Sequence, residues 1–170
     1  MTTDFGAIIT RFRSAEHLAE FMQTKLSYAS AEQREQSKAH GCQWKQPQQT
    51  YRDGYGFCYD LASFALAALA HSNIASAKLL MVAWDEWGAR RNTSHVTCFY
   101  PVSTMRFMCF DNGKLYGPMD QAQLMLQASR GQAIQYYRVF DAHEIPYRTP
   151  FNELGALLRA ANPATGLTFV

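Results

Sequence analysis

The spacing of apolar residues predicts helices in the first part of the chain and short strands in the second part. Ser14 can cap a helix that runs to about Ser27 with apolar side chains on one face. The stretch Ser30–Thr50 is rich in Gln, Ser and Lys, which predicts a surface loop. After Gly56 the chain is apolar on nearly all sides as far as about His71. Such a pattern predicts a helix in the middle of the fold.

Runs of β-branched, aromatic and methionine residues predict a sheet in the second half of the chain. These runs are Lys78–Trp84, His95–Tyr100, Met105–Asp111 and Ile134–Phe140. A short helix over Gln121–Ser129 stops at Gly131, and Pro150 opens a last helix through Asn162. The strands are apolar on both faces, so we expect both faces of the sheet to be covered. The order of elements predicts an α+β fold with one central helix against an antiparallel sheet.

Length and composition fit a single domain over residues 1–170. Hydrophobic residues make up 48% of the chain and charged residues 18%, which leaves ample apolar area for a core. The net charge of +2 lacks the clustered basic charge that nucleic acids require, so we expect no nucleic-acid partner. The longest apolar run, Leu61–Ala70, is about half of a membrane-spanning helix, and the first residues lack the pattern of a signal peptide. We therefore expect no membrane partner, a cytoplasmic location and reduced cysteines.

Cys58 is a candidate nucleophile because it lies at the predicted start of the central helix, directly after a glycine turn. Unpaired backbone N–H groups and the helix dipole favour a negative thiolate at such a place. The alternative is that Cys58 is a small core residue. No metal site is expected, because the cysteines lack the short paired spacing that structural zinc prefers. The four cysteines are Cys42, Cys58, Cys98 and Cys109.

A histidine and an aspartate lie on the second and third predicted strands. If these strands form a hairpin whose register is centred on Ser103, His95 lies directly opposite Asp111 on one face. A slip of one residue would separate the two onto opposite faces. Further pairs on that face would be Thr97 with Cys109 and Phe99 with Phe107. A nucleophilic cysteine needs an imidazole, and the ring needs a carboxylate to orient it, so we take Cys58, His95 and Asp111 as candidate catalytic residues.

The run Trp44–Asp60 resembles the nucleophile motif of bacterial transglutaminase-like cysteine proteinases. In that motif Trp-x-x-Pro is followed by an acid and Thr, then by Gly-x-Gly, and then by a cysteine flanked by acids. The positions that match without a gap are Trp44, Pro47, Thr50, Gly54, Gly56, Cys58 and Asp60. The KLLMVAWD, SHVTCFY and FDNG segments are also similar to the family's order, so the motif core covers about residues 44–113.

This resemblance implies a papain-like fold in which a Cys58–His95–Asp111 triad acts on amide bonds of a protein or peptide, without a cofactor. Members that release surface adhesins carry acids on both sides of the cysteine and use calcium there. This chain has Phe57 and Tyr59 at those positions, so we expect no calcium site.

Residues around the cysteine suggest a cleft and its support. Gln49 stands where the family has an acid, which leaves the oxyanion side chain open among Gln43, Gln48 and Gln49. Aromatic side chains near the sulfur predict a narrow apolar cleft, namely Trp44, Phe57 and Tyr59. Structural support for the helix start is expected from Gly54, Gly56 and Asp60.

The resulting hypothesis is a cysteine peptidase or a related amide hydrolase that works through an acyl-enzyme. Two alternatives remain. The same acyl-enzyme could be resolved by an amine, which would make the protein a transglutaminase or acyltransferase. The fold could also serve as a catalytically silent module that binds a protein partner.

Overall fold

The computed structural model describes residues 5–41, 43–84, 94–150, 153 and 162–163. The α-helices are α1 (Phe5–Ile9), α2 (Ala15–Lys25), α3 (Ala31–Ala39), α4 (Pro47–Asp53), α5 (Cys58–His71) and α6 (Gln121–Ser129), and a 3₁₀ turn covers Ala142–Glu144. The strands are β1 (Ser27–Tyr28), β2 (Tyr55–Gly56), β3 (Lys78–Ala83), β4 (Ser94–Ser103), β5 (Arg106–Asp111), β6 (Lys114–Met119), β7 (Tyr136–Phe140) and β8 (Asn162–Pro163). Within these ranges, no helix is long and apolar enough to span a bilayer.

The main sheet has six strands in the order β6-β5-β4-β3-β7-β8, and every neighbouring pair is antiparallel. The helix α5 packs against one face, where its side chains join a buried cluster with strand residues. From the sheet that cluster contains Leu79, Met81, Val96, Cys98, Phe110 and Phe140. The prediction of an α+β fold with a central helix against an antiparallel sheet is therefore confirmed.

The second face of the sheet is covered by α6. Leu124 and Ala128 of this helix are fully buried against strand side chains. The strand members of this cluster are Leu80, Val82, Phe99, Phe107 and Cys109. Burial of each large aliphatic side chain contributes about 1.5–3 kcal/mol, so both layers help to fix the sheet. The expectation that both faces are covered is confirmed.

The prediction that Ser30–Thr50 forms a surface loop is wrong, because α3 and the first turn of α4 lie within this range. Ser30 accepts a hydrogen bond from the backbone N–H of Gln33, and the Gln33 side chain accepts one from the N–H of Ser30. This capping box starts a helix of good helix formers that buries none of its residues. Without an apolar face, the helix leaves no periodic signal in the sequence.

The predicted register of the β4–β5 hairpin is wrong by two residues. Phe99 pairs with Cys109, and the pairing continues to Cys98 with Phe110. Continued by one residue, this register sets Asp111 opposite Thr97 rather than opposite His95. The physical reason is that β4 extends to Ser103 with a bulge between Pro101 and Ser103, so the turn falls later than predicted. A shift of two residues keeps His95 and Asp111 on the same face.

Other elements lie close to their predicted bounds, with additions. α2 begins after the Ser14 N-cap, whose hydroxyl accepts from the N–H of His17, and α6 spans Gln121–Ser129 as predicted. Strand β6 was not predicted, since its residues alternate poorly in polarity. Most of the predicted helix from Pro150 to Asn162 lies outside the described residues. Asn162 itself belongs to β8, where it pairs with Tyr137 of β7.

Candidate active site

The start of α5 is fixed by a tight connection from α4. Gly54 ends α4 with a positive φ of 72°, a conformation that favours glycine. The two residues of β2 then pair in parallel with β1, which sets Tyr28 beside Gly56. Cys58 follows as the first residue of α5 and is half-buried. Its sulfur therefore lies at the positive end of a 14-residue helix.

Asp60 ties this helix start to the preceding segment. Its carboxylate accepts from the backbone N–H of Phe57 at 2.9 Å and from that of Lys45 at 2.8 Å. Burial raises the pKa of Asp60 to about 7, although both hydrogen bonds and the charge of Lys45 act in the opposite direction. A Cβ on Gly56 would lie 2.6 Å from the Cβ of Asp60, so only glycine fits there. The structure thus places Gly54, Gly56 and Asp60 together beneath the cysteine.

His95 and Asp111 meet at one end of the sheet. His95 is the second residue of β4, Asp111 is the last residue of β5, and the imidazole Nε2 lies 2.6 Å from the Asp111 Oδ1. The second carboxylate oxygen, Oδ2, accepts from the side-chain amide of Gln127 on α6 at 2.9 Å. His95 is 3% exposed, so its ring is shielded from water.

The charges around His95 favour its protonated form. Burial lowers the pKa of His95, but the charge of Cys58 and hydrogen bonds with Asp111 and Cys58 outweigh burial and raise the pKa to about 9. Burial raises the pKa of Asp111, but the hydrogen bond and charge of His95, together with Gln127 and Arg130, hold it below its ordinary value. With a pKa of about 9 the ring carries its proton at neutral pH, and its Nε2 is hydrogen-bonded to the Asp111 carboxylate.

Two of the three predicted cleft side chains lie in the core. Trp44 is fully buried, and its indole N–H donates to the Ser63 hydroxyl at 2.8 Å. Tyr59 is 3% exposed and packs against Trp44 at a centroid distance of 5.3 Å. Trp44 is nevertheless among the residues that line a groove beside Phe57, whereas Tyr59 is not, so the predicted cleft wall stays a prediction. Phe57 is half-buried and lines a groove of about 500 Å³.

The predicted glutamines differ in their surroundings. Gln43 and Gln49 line the same groove as Phe57, whereas Gln48 is exposed and is not among its lining residues. The Gln49 amide donates to the Asp53 carboxylate at 2.7 Å, so one of its N–H groups is already engaged. Gln43 forms an isolated bridge with Pro150. The assignment of an oxyanion side chain among the three stays a prediction.

Tyr28 and Gln127 belong to this site but were not found from the sequence. The Tyr28 ring contacts Phe57 edge-on at a centroid distance of 6.4 Å. Burial and the charge of Cys58 raise the pKa of Tyr28 to about 12, so its hydroxyl keeps its proton. Tyr28 lies in a two-residue strand without periodicity, and Gln127 lies on an ordinary amphipathic helix. Neither position carries a local motif, so only the fold reveals them.

Among the described residues, no group of His, Cys, Asp or Glu is arranged to hold a metal ion. Beside the sulfur, Phe57 and Tyr59 offer no carboxylate, and both oxygens of Asp60 accept backbone N–H groups. These residues do not fit a calcium ion, which requires several free oxygen ligands. Cys98 and Cys109 are buried free thiols on opposite faces of the sheet, and Cys42 lies outside the described residues.

A helix that opens on a cysteine, packed on an antiparallel sheet that carries a histidine and a carboxylate, defines the papain-like class of α+β folds. The family model described as a transglutaminase-like domain matches residues 9–123. The chain belongs to this transglutaminase-like family.

Solved structures of LapG from Legionella pneumophila are similar to this chain. EGTA-treated LapG is 16% identical with a TM-score of 0.48, and the match covers 91% of this chain and 78% of LapG. Calcium-bound LapG is 14% identical with a TM-score of 0.49, and the match covers 86% of this chain and 77% of LapG. A search of curated proteins finds no match.

Proposed function

We propose that this protein is a cysteine peptidase or a closely related amide hydrolase with a Cys58–His95–Asp111 triad. The observation that carries the proposal is the position of the His95 ring. One of its nitrogens lies 2.6 Å from Asp111, and Cys58, which begins a buried helix, is among the neighbours that raise the pKa of the ring. Membership of the transglutaminase-like family supports the same assignment.

In the first step the Cys58 thiolate attacks the carbonyl carbon of an amide. A carbon–sulfur bond forms, and the carbonyl electron pair moves onto oxygen as an oxyanion. When the tetrahedral intermediate collapses, the carbon–nitrogen bond breaks and the imidazolium of His95 gives its proton to the leaving amine. Asp111 keeps the ring oriented and stabilises its charge.

In the second step water attacks the thioester while neutral His95 accepts a proton from it. The thiolate leaves, the acid product is released, and the imidazolium–thiolate pair is restored. No cofactor takes part in this cycle. If an amine enters instead of water, the same intermediate yields a transferred acyl group.

The oxyanion needs donors that are already oriented. The backbone N–H of Cys58 is one, since it is the first residue of α5 and no acceptor within the described ranges is bonded to it. The hydroxyl of Tyr28 is a candidate for the second donor, because Tyr28 pairs with Gly56 two residues before Cys58 and its hydroxyl keeps its proton. The predicted glutamines, Gln43, Gln48 and Gln49, stay predictions for the same role.

The direct test compares the wild-type protein with Cys58→Ala on a mixture of unmodified peptides, with products identified by mass spectrometry. The proposal predicts cleavage by the wild-type protein alone. Added primary amines and glutamine-containing peptides separate hydrolysis from transfer, since cross-links or ammonia release would identify a transferase. Equal product yields from wild-type and Cys58→Ala protein would contradict the proposal, and so would the absence of any product.

A further inference from the structure

A groove of about 600 Å³ adjoins the proposed site. It lies between α6 and the β5–β6 hairpin, and we call it the α6 groove. Its lining includes Asp111, Lys114, Tyr116, Leu126, Gln127 and Arg130. Because Asp111 also holds the His95 ring at 2.6 Å, the groove begins at the carboxylate that orients the proposed catalytic ring. Its volume lies in the range of about 300–1,000 Å³ that is usual for ligand sites.

The charge of the α6 groove is positive. The carboxylate of Asp111 is committed to His95 and Gln127, which leaves the cations of Lys114 and Arg130. Among the described residues, no ion pair joins either cation to a carboxylate. Arg130 acts on both ends of the site, because its charge lowers the pKa of Asp111 and opposes the rise in the pKa of Tyr28.

The same groove offers apolar surface beside its cations. Leu126 is 61% exposed and Tyr116 is 36% exposed, and both line the groove. An exposed leucine next to an arginine suits an occupant with both an apolar side chain and a carboxylate. A nucleic acid would need a more extended basic surface than two cations, so a peptide fits these features better.

We propose that the α6 groove binds an acidic segment of the substrate polypeptide, next to the bond that is cleaved. Glutamate or aspartate side chains pair with Arg130 and Lys114, and a neighbouring apolar side chain covers Leu126. This inference rests on the proposed function, because it places the groove beside a peptide bond held at Cys58. It adds the chemical class of the substrate.

Binding can be measured without catalysis in the Cys58→Ala protein. The probes are three fluorescein-labelled peptides, Gly-Leu-Glu-Ala-Glu-Gly, Gly-Leu-Gln-Ala-Gln-Gly and Gly-Leu-Lys-Ala-Lys-Gly, followed by fluorescence anisotropy. We expect the glutamate peptide to bind most tightly and the lysine peptide most weakly. Arg130→Gln or Lys114→Gln should weaken binding of the glutamate peptide about threefold to fivefold, as expected for one partly exposed ion pair.

The matched control is Arg11→Gln. Arg11 is exposed and lies near Ile9, whose carbonyl accepts from the Ser72 hydroxyl at the opposite end of α5 from Cys58. This substitution should leave the preference for the glutamate peptide unchanged. Far-ultraviolet circular dichroism checks that each variant is folded.

The possible outcomes distinguish a failure of the α6 groove proposal from a failure of the proposed function. Equal binding of the glutamate and glutamine peptides would overturn the α6 groove proposal, and so would a preference that survives in the Arg130→Gln, Lys114→Gln double variant. If the preference holds while the wild-type protein cleaves no peptide, the groove stands and the proposed function fails. If peptides are cleaved without regard to acidic residues, the proposed function stands and the groove proposal fails.

Discussion

His95 is the residue on which the charges of the site converge. Its ring is hydrogen-bonded to the Asp111 carboxylate on β5, the amide of Gln127 on α6 holds that carboxylate, and the charge of Cys58 on α5 raises the pKa of the ring. The proton on this ring is available to a leaving amine only while the pKa stays high. The neighbours that raise the pKa therefore set the pH range of the proposed activity.

Asp111→Asn should shift the pH range of the proposed activity. The substitution removes the charge of Asp111, which is one of the interactions that raise the pKa of His95, so this pKa should fall from about 9 toward 6.5. The basic limb of kcat/KM against pH should move down with it, and kcat should fall by roughly 10²–10⁴-fold. The control is Asp141→Asn, which breaks an exposed ion pair with Lys78. A basic limb that stays at its wild-type position would show that Asp111 does not tune the ring.

Tyr28→Phe removes one hydroxyl and retains the ring contact with Phe57. If this hydroxyl donates to the oxyanion, kcat should fall about 10²–10³-fold while KM changes little. Alkylation of Cys58 should be unchanged, because the imidazolium remains. Tyr136→Phe is the matched control, since Tyr136 is 38% exposed and Tyr28 is 40% exposed. A wild-type kcat in Tyr28→Phe would remove this residue from the mechanism.

At the scale of elements, the start of α5 depends on the close approach of Gly56 to Asp60. Gly56→Ala should lower the free energy of unfolding by about 1–3 kcal/mol, because its new methyl group forces the Asp60 carboxylate away from two backbone N–H groups. Urea unfolding measures the change. Peptide cleavage should decrease as well, since Cys58 lies only two residues after Gly56.

Gly131→Ala is the matched control for Gly56→Ala. Gly131 has a φ of 78° with nothing within 4 Å of a new Cβ, so its cost comes from the backbone alone, about 1 kcal/mol. It lies at the end of α6 and should leave the start of α5 intact. If Gly56→Ala is as stable as the wild-type protein, the contact with Asp60 is not what fixes the helix start.

Elements with a one-sided or all-round apolar pattern could be predicted from the sequence, and those without one could not. The apolar helix α5, the capped helix α2 and strands β3 to β5 carry enough periodicity to be located. The exposed helix α3 depends on its capping box instead. The hairpin register depends on a bulge near Pro101, which no sequence pattern marks. The face shared by His95 and Asp111 was still predictable, because it depends only on the two-residue period of strands.

At the scale of the whole molecule, the site draws on the helices that cover both faces of the sheet. α5 supplies Cys58 from one face, and α6 supplies Gln127 from the other. Its candidate residues are far apart in sequence, so the sequence could suggest their chemistry but not the contributions of Tyr28 or Gln127. Because His95 is hydrogen-bonded to Asp111, and Asp111 to Gln127, the charge on His95 should affect the free energy of unfolding of the whole protein.

The pH dependence of unfolding measures this coupling. The folded pKa of His95 is raised to about 9, above an unfolded value of about 6.5. The stability from its proton is therefore fully present below about pH 6.5 and is lost as the pH rises through about 9. We expect the free energy of unfolding of the wild-type protein, relative to His95→Gln, to fall across that window. A difference that does not change with pH would show that the ring is not stabilised as an imidazolium.

The central claim of the proposed function is that Cys58 is the nucleophile and that His95 activates it. The most direct measurement is the rate of iodoacetamide alkylation at Cys58 against pH, read by mass spectrometry in the wild-type protein and in His95→Gln. The buried thiols Cys98 and Cys109 serve as slow internal references. We predict that near neutral pH Cys58 reacts about tenfold or more faster in the wild-type protein than in His95→Gln. Identical rates and identical pH profiles in the two proteins would contradict the account.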